Sequence, residues 1–197
     1  MVDEAQAVER WQRGDPEGLE ELVRAYELRA LRTAYLILRD RMDAEDAVQN
    51  AFLRAWEYRH RFDPRRPFWP WLLRLVLREA LRLAERRDRH LPASSPSFLE
   101  TEDPVESTWG DPHPSPEQMA EQAEQRRRLW QALGLLSPAQ RTAIVLRYYH
   151  ELPEKEIAEI MGCTIGTVKH YLYEGRIRLR DILGSSGMPN RKGERHG

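Results

Sequence analysis

The 197-residue chain has a formal net charge of −1, with 41% hydrophobic and 32% charged residues. It contains no run of about 18 apolar residues, which a membrane span requires, and its acidic start does not resemble a secretory signal. We therefore expect a cytoplasmic protein without membrane insertion. A single cysteine, Cys163, excludes a disulfide framework, and the scattered histidines show no metal-ligand spacing, so no metal or cofactor is expected.

The charge is distributed unevenly along the chain. Residues 61–90 carry a net charge of +5 and residues 126–197 carry +6, whereas residues 91–125 carry −8. Because phosphate binding follows the local field rather than the overall sum, the two basic blocks are compatible with nucleic-acid binding.

Helical periodicity runs through almost every segment outside the linkers, and no convincing alternating strand occurs, so the predicted fold class is all-α. A short helix is predicted over residues 3–13 and ends at Gly14. A longer helix follows, with Asp15 as its N-cap and Pro16 at its first position. The next helix is predicted to open at Asp43, with Asp46 completing an approximate capping box. It leaves an exposed leucine among polar neighbours, which suits a protein partner but is also common on ordinary surfaces.

A loop rich in aromatic, proline and basic residues, residues 60–70, precedes a long helix predicted to start at Pro70. Arginines recur along that helix at intervals of four, at Arg74, Arg78, Arg82 and Arg86. Aromatic rings stack on unpaired bases while guanidinium groups follow the phosphates, so this combination favours binding of single-stranded nucleic acid. The alternative interpretation is a solvated basic face.

The acidic segment in the middle of the sequence is rich in proline and serine and shows no periodicity, which is typical of a flexible linker. Residues 91–117 are therefore predicted to join two small helical domains, residues 1–90 and residues 118–183. Residues 184–197 are predicted to form a disordered tail. The second domain is expected to begin with a charged helix from about Pro116 to Leu135, followed by one from Ser137-Pro138 to Tyr149.

The last predicted pair of helices lies between Leu152 and Arg180. Pro153 suits a first helical position, Gly162 suits a left-handed C-cap and Thr164 suits the N-cap of a second helix. One face of that second helix is apolar, through Val168, Leu172, Gly175 and Leu179. The opposite face is polar. This pattern predicts a helix-turn-helix with a DNA-recognition helix, and an ordinary helical hairpin is the alternative.

Three stretches occur in the order and spacing of one protein family: DAEDAVQNAFLRAW, RFDPRRPFWPWL and LSPAQRTAIVLRYYHELPEKEIAEIMGCTIGTVKHYL. Nearly all of residues 5–183 resembles the extracytoplasmic-function (ECF) class of bacterial sigma factors, the smallest sigma subunits of RNA polymerase. The resemblance implies a transcription initiation factor that binds core RNA polymerase, directs it to promoters and helps to melt the DNA. Its first domain would bind the clamp helices of the largest subunit and capture flipped bases of the minus-ten element.

The second domain would bind the polymerase flap and place its helix-turn-helix in the major groove of the minus-thirty-five element, while the linker threads through the RNA exit channel. An anti-sigma protein is a further partner that the family implies.

The resemblance also implies three sets of site residues. Those expected to bind core polymerase are Asp46, Gln49, Asn50, Leu53 and Arg54. Those expected to bind and melt the minus-ten element are Phe62, Phe68, Trp69, Trp71, Arg74, Arg78 and Arg82. Those expected to bind the minus-thirty-five element are Thr164, Thr167, Lys169, His170, Tyr171, Tyr173, Glu174 and Arg176.

Four positions depart from the family pattern. Arg78 and Arg82 stand where the family usually has Asn and Asp, and Tyr171 and Glu174 replace basic residues of the recognition helix. The residues of this chain therefore do not predict which promoter sequence it recognises.

The alternative function is a two-domain helix-turn-helix transcriptional regulator that binds duplex DNA without being a polymerase subunit. An enzyme is not expected, because cap chemistry explains the acidic cluster Asp43, Glu45 and Asp46, and the sequence has no Gly-rich phosphate loop.

Overall fold

The computed structural model describes residues 3–90 and 116–185. Across these two segments the chain forms eight α-helices and one 3₁₀ turn, Arg59–Arg61, without a β-strand, which confirms the all-α prediction. The helices are α1 Glu4–Gln12, α2 Pro16–Leu38, α3 Arg41–Glu57, α4 Phe68–His90, α5 Pro116–Gly134, α6 Pro138–Tyr148, α7 Glu154–Met161 and α8 Ile165–Ser185.

The predicted linker and tail fall mostly outside the described residues. Two residues of the predicted linker, 116 and 117, are the first residues of α5, and two residues of the predicted tail, 184 and 185, are the last residues of α8. Both helices therefore start or end slightly beyond the predicted domain limits.

In the first helical unit, α1–α4, aspartate side chains cap the N-termini of α1, α2 and α3. The Asp3 and Asp15 carboxylates accept hydrogen bonds from the backbone N–H groups of the first turns of α1 and α2. For α3 the predicted cap was three residues late, because Asp40 rather than Asp43 is the N-cap: its carboxylate accepts from the Asp43 N–H at 3.0 Å. Each cap satisfies a donor that the helix itself leaves without a partner.

Helix α4 begins at Phe68, two residues before the predicted Pro70. The Phe68 N–H donates to Glu4 Oε1 of α1 at 3.1 Å, so a side chain from another helix satisfies one of the free donors at this end. Proline is tolerated in this first turn because its missing N–H is not needed there.

The second helical unit packs α6, α7 and α8 together, with α5 against α8. Ser137 and Gln140 form a capping box at the start of α6, and Gly162 ends α7 in the left-handed conformation with φ 66°. The Thr164 hydroxyl accepts from the Thr167 N–H at 3.1 Å, which confirms it as the cap of α8. Pro153 is the residue before α7 rather than its first residue.

The two units lie against each other, with α2 and α4 of the first facing α6 and α7 of the second. The described residues thus place the predicted polymerase, single-strand and duplex-binding helices, α3, α4 and α8, in one compact arrangement.

Candidate polymerase and nucleic-acid interfaces

Helix α8 has one buried and one exposed face, as a recognition helix requires. Val168 is 0% exposed and Leu172 3%, and both belong to the apolar core. Gly175 is also buried, and a methyl group built there would lie only 3.0 Å from Ile144 Cγ1 of α6. The close approach of α8 to α6 fixes which residues point outward.

The outward face of α8 carries Lys169, His170, Tyr173 and Arg176, all of which are exposed. Tyr173 has 58% of its surface exposed, an unusually open position for a large aromatic residue. Lys169 Nζ lies 4.0 Å from Glu154 Oε2 of α7, a loose ion pair between two solvent-exposed side chains. Such a pair contributes little and leaves the ammonium available to another anion.

Of the remaining residues predicted to contact the minus-thirty-five element, Thr164 is exposed and Thr167 is half-buried. Thr164 and Thr167 are joined through their hydroxyl oxygens at 2.9 Å, and they serve the start of α8. Tyr171 is half-buried and packs against the apolar core, and Glu174 is also half-buried. The exposed centre of the face is therefore formed by His170 and Tyr173 rather than by Tyr171.

The rings predicted to stack on bases do not form one exposed platform. Phe62 is 5% exposed and Phe68 0%, and both pack around Trp11 of α1, with ring centroids 5.8 Å and 5.3 Å from it. Trp71 lies half-buried in the same cluster, 5.6 Å from Trp11. These three rings build the core of the first unit, and Phe62 and Phe68 present no open face to a base.

Trp69 occupies a different position, at the boundary between the two units. Its ring stacks on Tyr26 at 5.7 Å, and the Arg29 guanidinium carbon lies 4.2 Å from its centroid. The His150 ring of the second unit lies 5.7 Å away. Trp69 is 8% exposed in this arrangement.

The arginines along α4 differ in their availability. Arg74 and Arg78 are exposed, and Arg74 Nη2 lies 3.3 Å from Glu159 Oε2 of α7. Arg78 has no hydrogen bond or ion pair among the described residues. Arg82 is half-buried and donates from Nε to Glu79 Oε2 at 2.9 Å. Arg74 and Arg78 are thus more open to a phosphate than Arg82, and Arg86, the last arginine of the predicted stripe, is exposed as well.

Sequence reasoning missed Glu79, which is 1% exposed and holds two predicted site residues at once. Its carboxylate accepts from Arg54 of α3 and from Arg82 of its own helix. Burial raises the pKa of Glu79, but the two arginines outweigh this effect and hold its pKa below the ordinary value. An acidic residue within the apolar run of α4 was the available signal.

The predicted polymerase-binding face of α3 remains open. Asp46, Gln49 and Leu53 are exposed, and Leu53 keeps 57% of its surface. Asn50 is half-buried and donates to the Asp46 carbonyl at 2.8 Å, whereas half-buried Arg54 is tied to Glu79. An exposed leucine surrounded by polar side chains is typical of a surface that binds another protein.

Among residues 3–90 and 116–185, no helix combines the length and apolar character needed to cross a membrane. Within the same residues, no cluster of three or more His, Cys, Asp or Glu side chains could hold a metal ion.

Comparison with known proteins agrees with this geometry. Residues 22–90 match the family Sigma-70 region 2, and residues 126–179 match Sigma-70, region 4. The ECF RNA polymerase sigma factor SigW of Bacillus subtilis is 30% identical over 184 residues, covering 89% of this chain and 94% of that protein. The ECF RNA polymerase sigma-E factor of Escherichia coli K12 is 30% identical over 171 residues, covering 86% and 88%.

Among solved structures, the sigma factor RpoE of Bartonella quintana, in complex with the anti-sigma factor NepR, matches with a TM-score of 0.58 and 26% identity. That match covers 84% of this chain and 96% of the RpoE chain. Two sigma-70 regions in the expected order, together with relatives of the same class over almost their whole length, show that this chain belongs to the ECF class of bacterial RNA polymerase sigma factors.

Proposed function

We propose that this sigma factor binds core RNA polymerase through α3, holds melted minus-ten DNA against α4, and reads the minus-thirty-five element through α8. A sigma factor is a transcription initiation factor, so the proposal concerns which surfaces carry each step. The observation that carries it is the two-faced recognition helix: Val168 is fully buried while Tyr173 on the opposite side is 58% exposed.

Two kinds of contact are expected on α8. Lys169 of α8 has an exposed ammonium group that is only loosely paired with Glu154, and it suits a phosphate contact, which positions the protein without reading sequence. His170 and Tyr173 carry donors and acceptors at the centre of the face, where base edges of the major groove would lie. Glu174 can accept a hydrogen bond from a cytosine amino group, which would make its acidic character part of promoter selection.

Strand opening is assigned to the arginine stripe and Trp69. Arg74 and Arg78 are exposed on α4 and suit the backbone of a displaced strand. Trp69, which is 8% exposed here, would stack on a base after it loses its contacts with Arg29 and His150. Because Phe62 and Phe68 are core residues, their replacement is expected to affect stability of the first unit rather than DNA directly.

Polymerase binding is assigned to the α3 face around Leu53. A matched pair of leucines tests it, since Leu28 of α2 has the same exposed fraction, 57%. We expect Leu53→Ala together with Gln49→Ala to weaken binding to core polymerase, and Leu28→Ala to leave it unchanged. Competition against a labelled sigma factor measures both, and equal affinity in the two variants would remove this face from the proposal.

The fold family also supports an anti-sigma protein as a second partner, because the structurally similar RpoE was solved with one. No enzymatic activity is proposed, and the expected place of action is the cytoplasm, where RNA polymerase works.

Run-off transcription with core polymerase on a fragmented genomic DNA library tests the whole proposal. The full chain should direct core polymerase to a limited set of start sites, and Val168→Asp should abolish this because it buries a charge in the second unit. Binding of duplex DNA without any binding to core polymerase would instead support a regulator that is not a polymerase subunit.

A further inference from the structure

The arginines spaced four residues apart on α4 form a stripe that does not face one part of the molecule along its whole length. An α-helix turns by about 100° per residue, so the direction of the side chain rotates by about 40° at each four-residue step. Arg74, at one end of the stripe, lies 3.3 Å from Glu159 of α7 in the second unit. Two steps later, Arg82 is bonded to Glu79, which is also bonded to Arg54 of α3. The stripe therefore turns from the second unit towards α3.

One buried carboxylate joins Arg54 and Arg82. Glu79 Oε1 accepts from Arg54 Nε at 2.5 Å, and Oε2 accepts from Arg82 Nε at 2.9 Å and from its Nη2 at 2.5 Å. Glu79 is 1% exposed, whereas the two arginine side chains keep 39% and 37% of their surface. A guanidinium carries five N–H donors, so after these bonds both arginines keep donors for a second acceptor. The pair is thus held from inside the protein and open on its outer side.

The surroundings of this arginine pair favour a protein carboxylate over DNA as the second acceptor. Arg54 directly follows Leu53, the exposed leucine of the α3 face proposed to bind polymerase. Helix α3 carries four acidic and two basic residues, so its field repels the continuous negative charge of a DNA backbone. A single carboxylate can instead lie against the guanidinium groups, whose planar N–H pairs match its two oxygens. Because Glu79 already fixes both side chains, less conformational entropy is lost on binding.

We propose that Arg82 belongs with Arg54 to the polymerase-binding surface, where the two arginines receive a carboxylate of core polymerase, and that Glu79 is the positioning residue that aligns them. This assignment rests on the proposed binding of polymerase through α3. It moves Arg82 from the minus-ten set, in which the sequence placed it, to the polymerase-binding set. Arg74 and Arg78 keep their proposed role in strand opening, so one helix divides its arginines between two partners.

The test measures two quantities for variants of the full chain. The first is affinity for core polymerase, by competition against the labelled wild-type sigma factor, and the second is the yield of run-off transcript at saturating sigma. Arg82→Ala should weaken core binding about tenfold but give the wild-type yield once saturation restores the complex. Arg78→Ala should show the reverse, with unchanged core affinity and a lower yield. Arg24→Ala, which breaks a pair with Glu20 of the same helix, controls for the loss of one positive charge and should match wild type in both measurements.

Glu79→Gln tests the positioning role, because it keeps the size of the side chain and removes the charge that holds the arginines. It should weaken core binding at least as much as Arg82→Ala, although residue 79 is too buried to touch polymerase itself. Adding Arg82→Ala to Glu79→Gln should cause little further loss, since both act through one contact, whereas independent effects would add. Circular dichroism checks that each variant folds. If Glu79→Gln does not fold, Arg82→Lys replaces it: lysine keeps the charge but not the planar fork, and should lose most of the same affinity.

Wild-type affinity of Arg82→Ala for core polymerase would overturn the proposal, and so would a reduced transcript yield at saturation, which would make Arg82 a DNA contact. Additive losses in Glu79→Gln with Arg82→Ala, or wild-type affinity of Arg82→Lys where it is used, would overturn the positioning role of Glu79. The variant Leu53→Ala with Gln49→Ala separates these failures from that of the proposed function. If it loses core binding while Arg82→Ala does not, α3 still binds polymerase and only the arginine assignment fails. If neither variant loses core binding, the proposed polymerase-binding face fails as well.

Discussion

Acidification should open the contact between the two units, because it protonates His150 in a place that disfavours the charge. Burial, and secondarily the positive charge of Arg29 on α2, lowers the pKa of His150 to about 4 from 6.5. Trp69 of α4 faces the ring, and Tyr149 contacts it edge-on within its own turn, followed by the exposed Glu151. Among residues 3–90 and 116–185, no carboxylate is hydrogen-bonded to the ring to stabilise its charged form.

The sign follows from proton linkage. The separated form, with an ordinary histidine, binds more protons than the closed form between pH 6.5 and 4, so closure is complete above that window and weakens as the pH falls through it. From pH 7.5 to pH 5, the two pKa values give a loss of about 2 kcal/mol, or about thirtyfold in the ratio of closed to open molecules. Because the His150 ring is partly exposed, solvent screens its charge, and the loss of about 2 kcal/mol is an upper value.

The assay is the distance between dyes attached at Met42→Cys of α3 and Met119→Cys of α5, two exposed positions, in a Cys163→Ser background, followed between pH 7.5 and pH 5. His150 Nε2 lies 2.9 Å from the Thr33 hydroxyl of α2, which itself donates to the Arg29 carbonyl. His150→Gln is the matched control, because an amide can donate to this hydroxyl but does not titrate. Wild type should open on acidification while His150→Gln stays constant. The reasoning is refuted if the two proteins respond alike or if wild type does not respond.

Three further outcomes are expected. Gly18→Ala should destabilise the first unit by about 1–3 kcal/mol in urea unfolding, because the added methyl group would lie 2.4 Å from the backbone nitrogen of Trp11 in α1. In α8, Gly166→Ala should instead stabilise by up to about 1 kcal/mol, since its methyl group would make an ordinary 3.6 Å contact; destabilisation of similar size in both would contradict the packing argument. Leu146→Ala, at a fully buried position of α6, should cost about 2–5 kcal/mol by the same measurement, and a loss below 1 kcal/mol would place this leucine outside a tight core. Lys169→Ala should lower the salt slope of promoter binding by about one unit without changing site preference; His170→Ala should keep the slope and cost about 1–3 kcal/mol on the preferred site, and wild-type behaviour of both would show that the outward face of α8 is misassigned.

Helix ends that are determined by residues close together in the sequence were predictable. Asp15 followed by Pro16, and Gly162 followed by Thr164, each combine residues whose side chains or backbone preferences act within one turn. The structure confirms these caps, and the buried face of α8 follows from its periodicity. The start of α3 was misjudged because two aspartates, Asp40 and Asp43, stand three residues apart and either can serve as a cap.

Features made by contacts distant in sequence were not predictable. Phe62 and Phe68 lie in a basic, proline-rich segment, and only the position of Trp11 in α1 shows that their rings are core rather than surface. Thr33 and His150 are 117 positions apart, and no periodicity within either helix indicates that they meet. The sequence pattern identifies which face of a helix is apolar, but it does not show which polar residues are covered by another part of the chain.

Arg141 links the two units through the main chain. Its guanidinium donates to the Leu136 carbonyl at 2.9 Å and also to the Ile37 carbonyl, in the last turn of α2. A carbonyl there has no donor within its own helix, so the second unit supplies a C-terminal cap to α2 and places a cation at the negative end of its dipole. Asp40, the cap of α3, follows three residues later. Separation of the second unit would therefore remove this cap next to the start of α3, the helix proposed to bind polymerase. If α3 binds polymerase as proposed, a change in its first turn couples polymerase binding to separation of the two units, and each is expected to change the equilibrium of the other by the same factor.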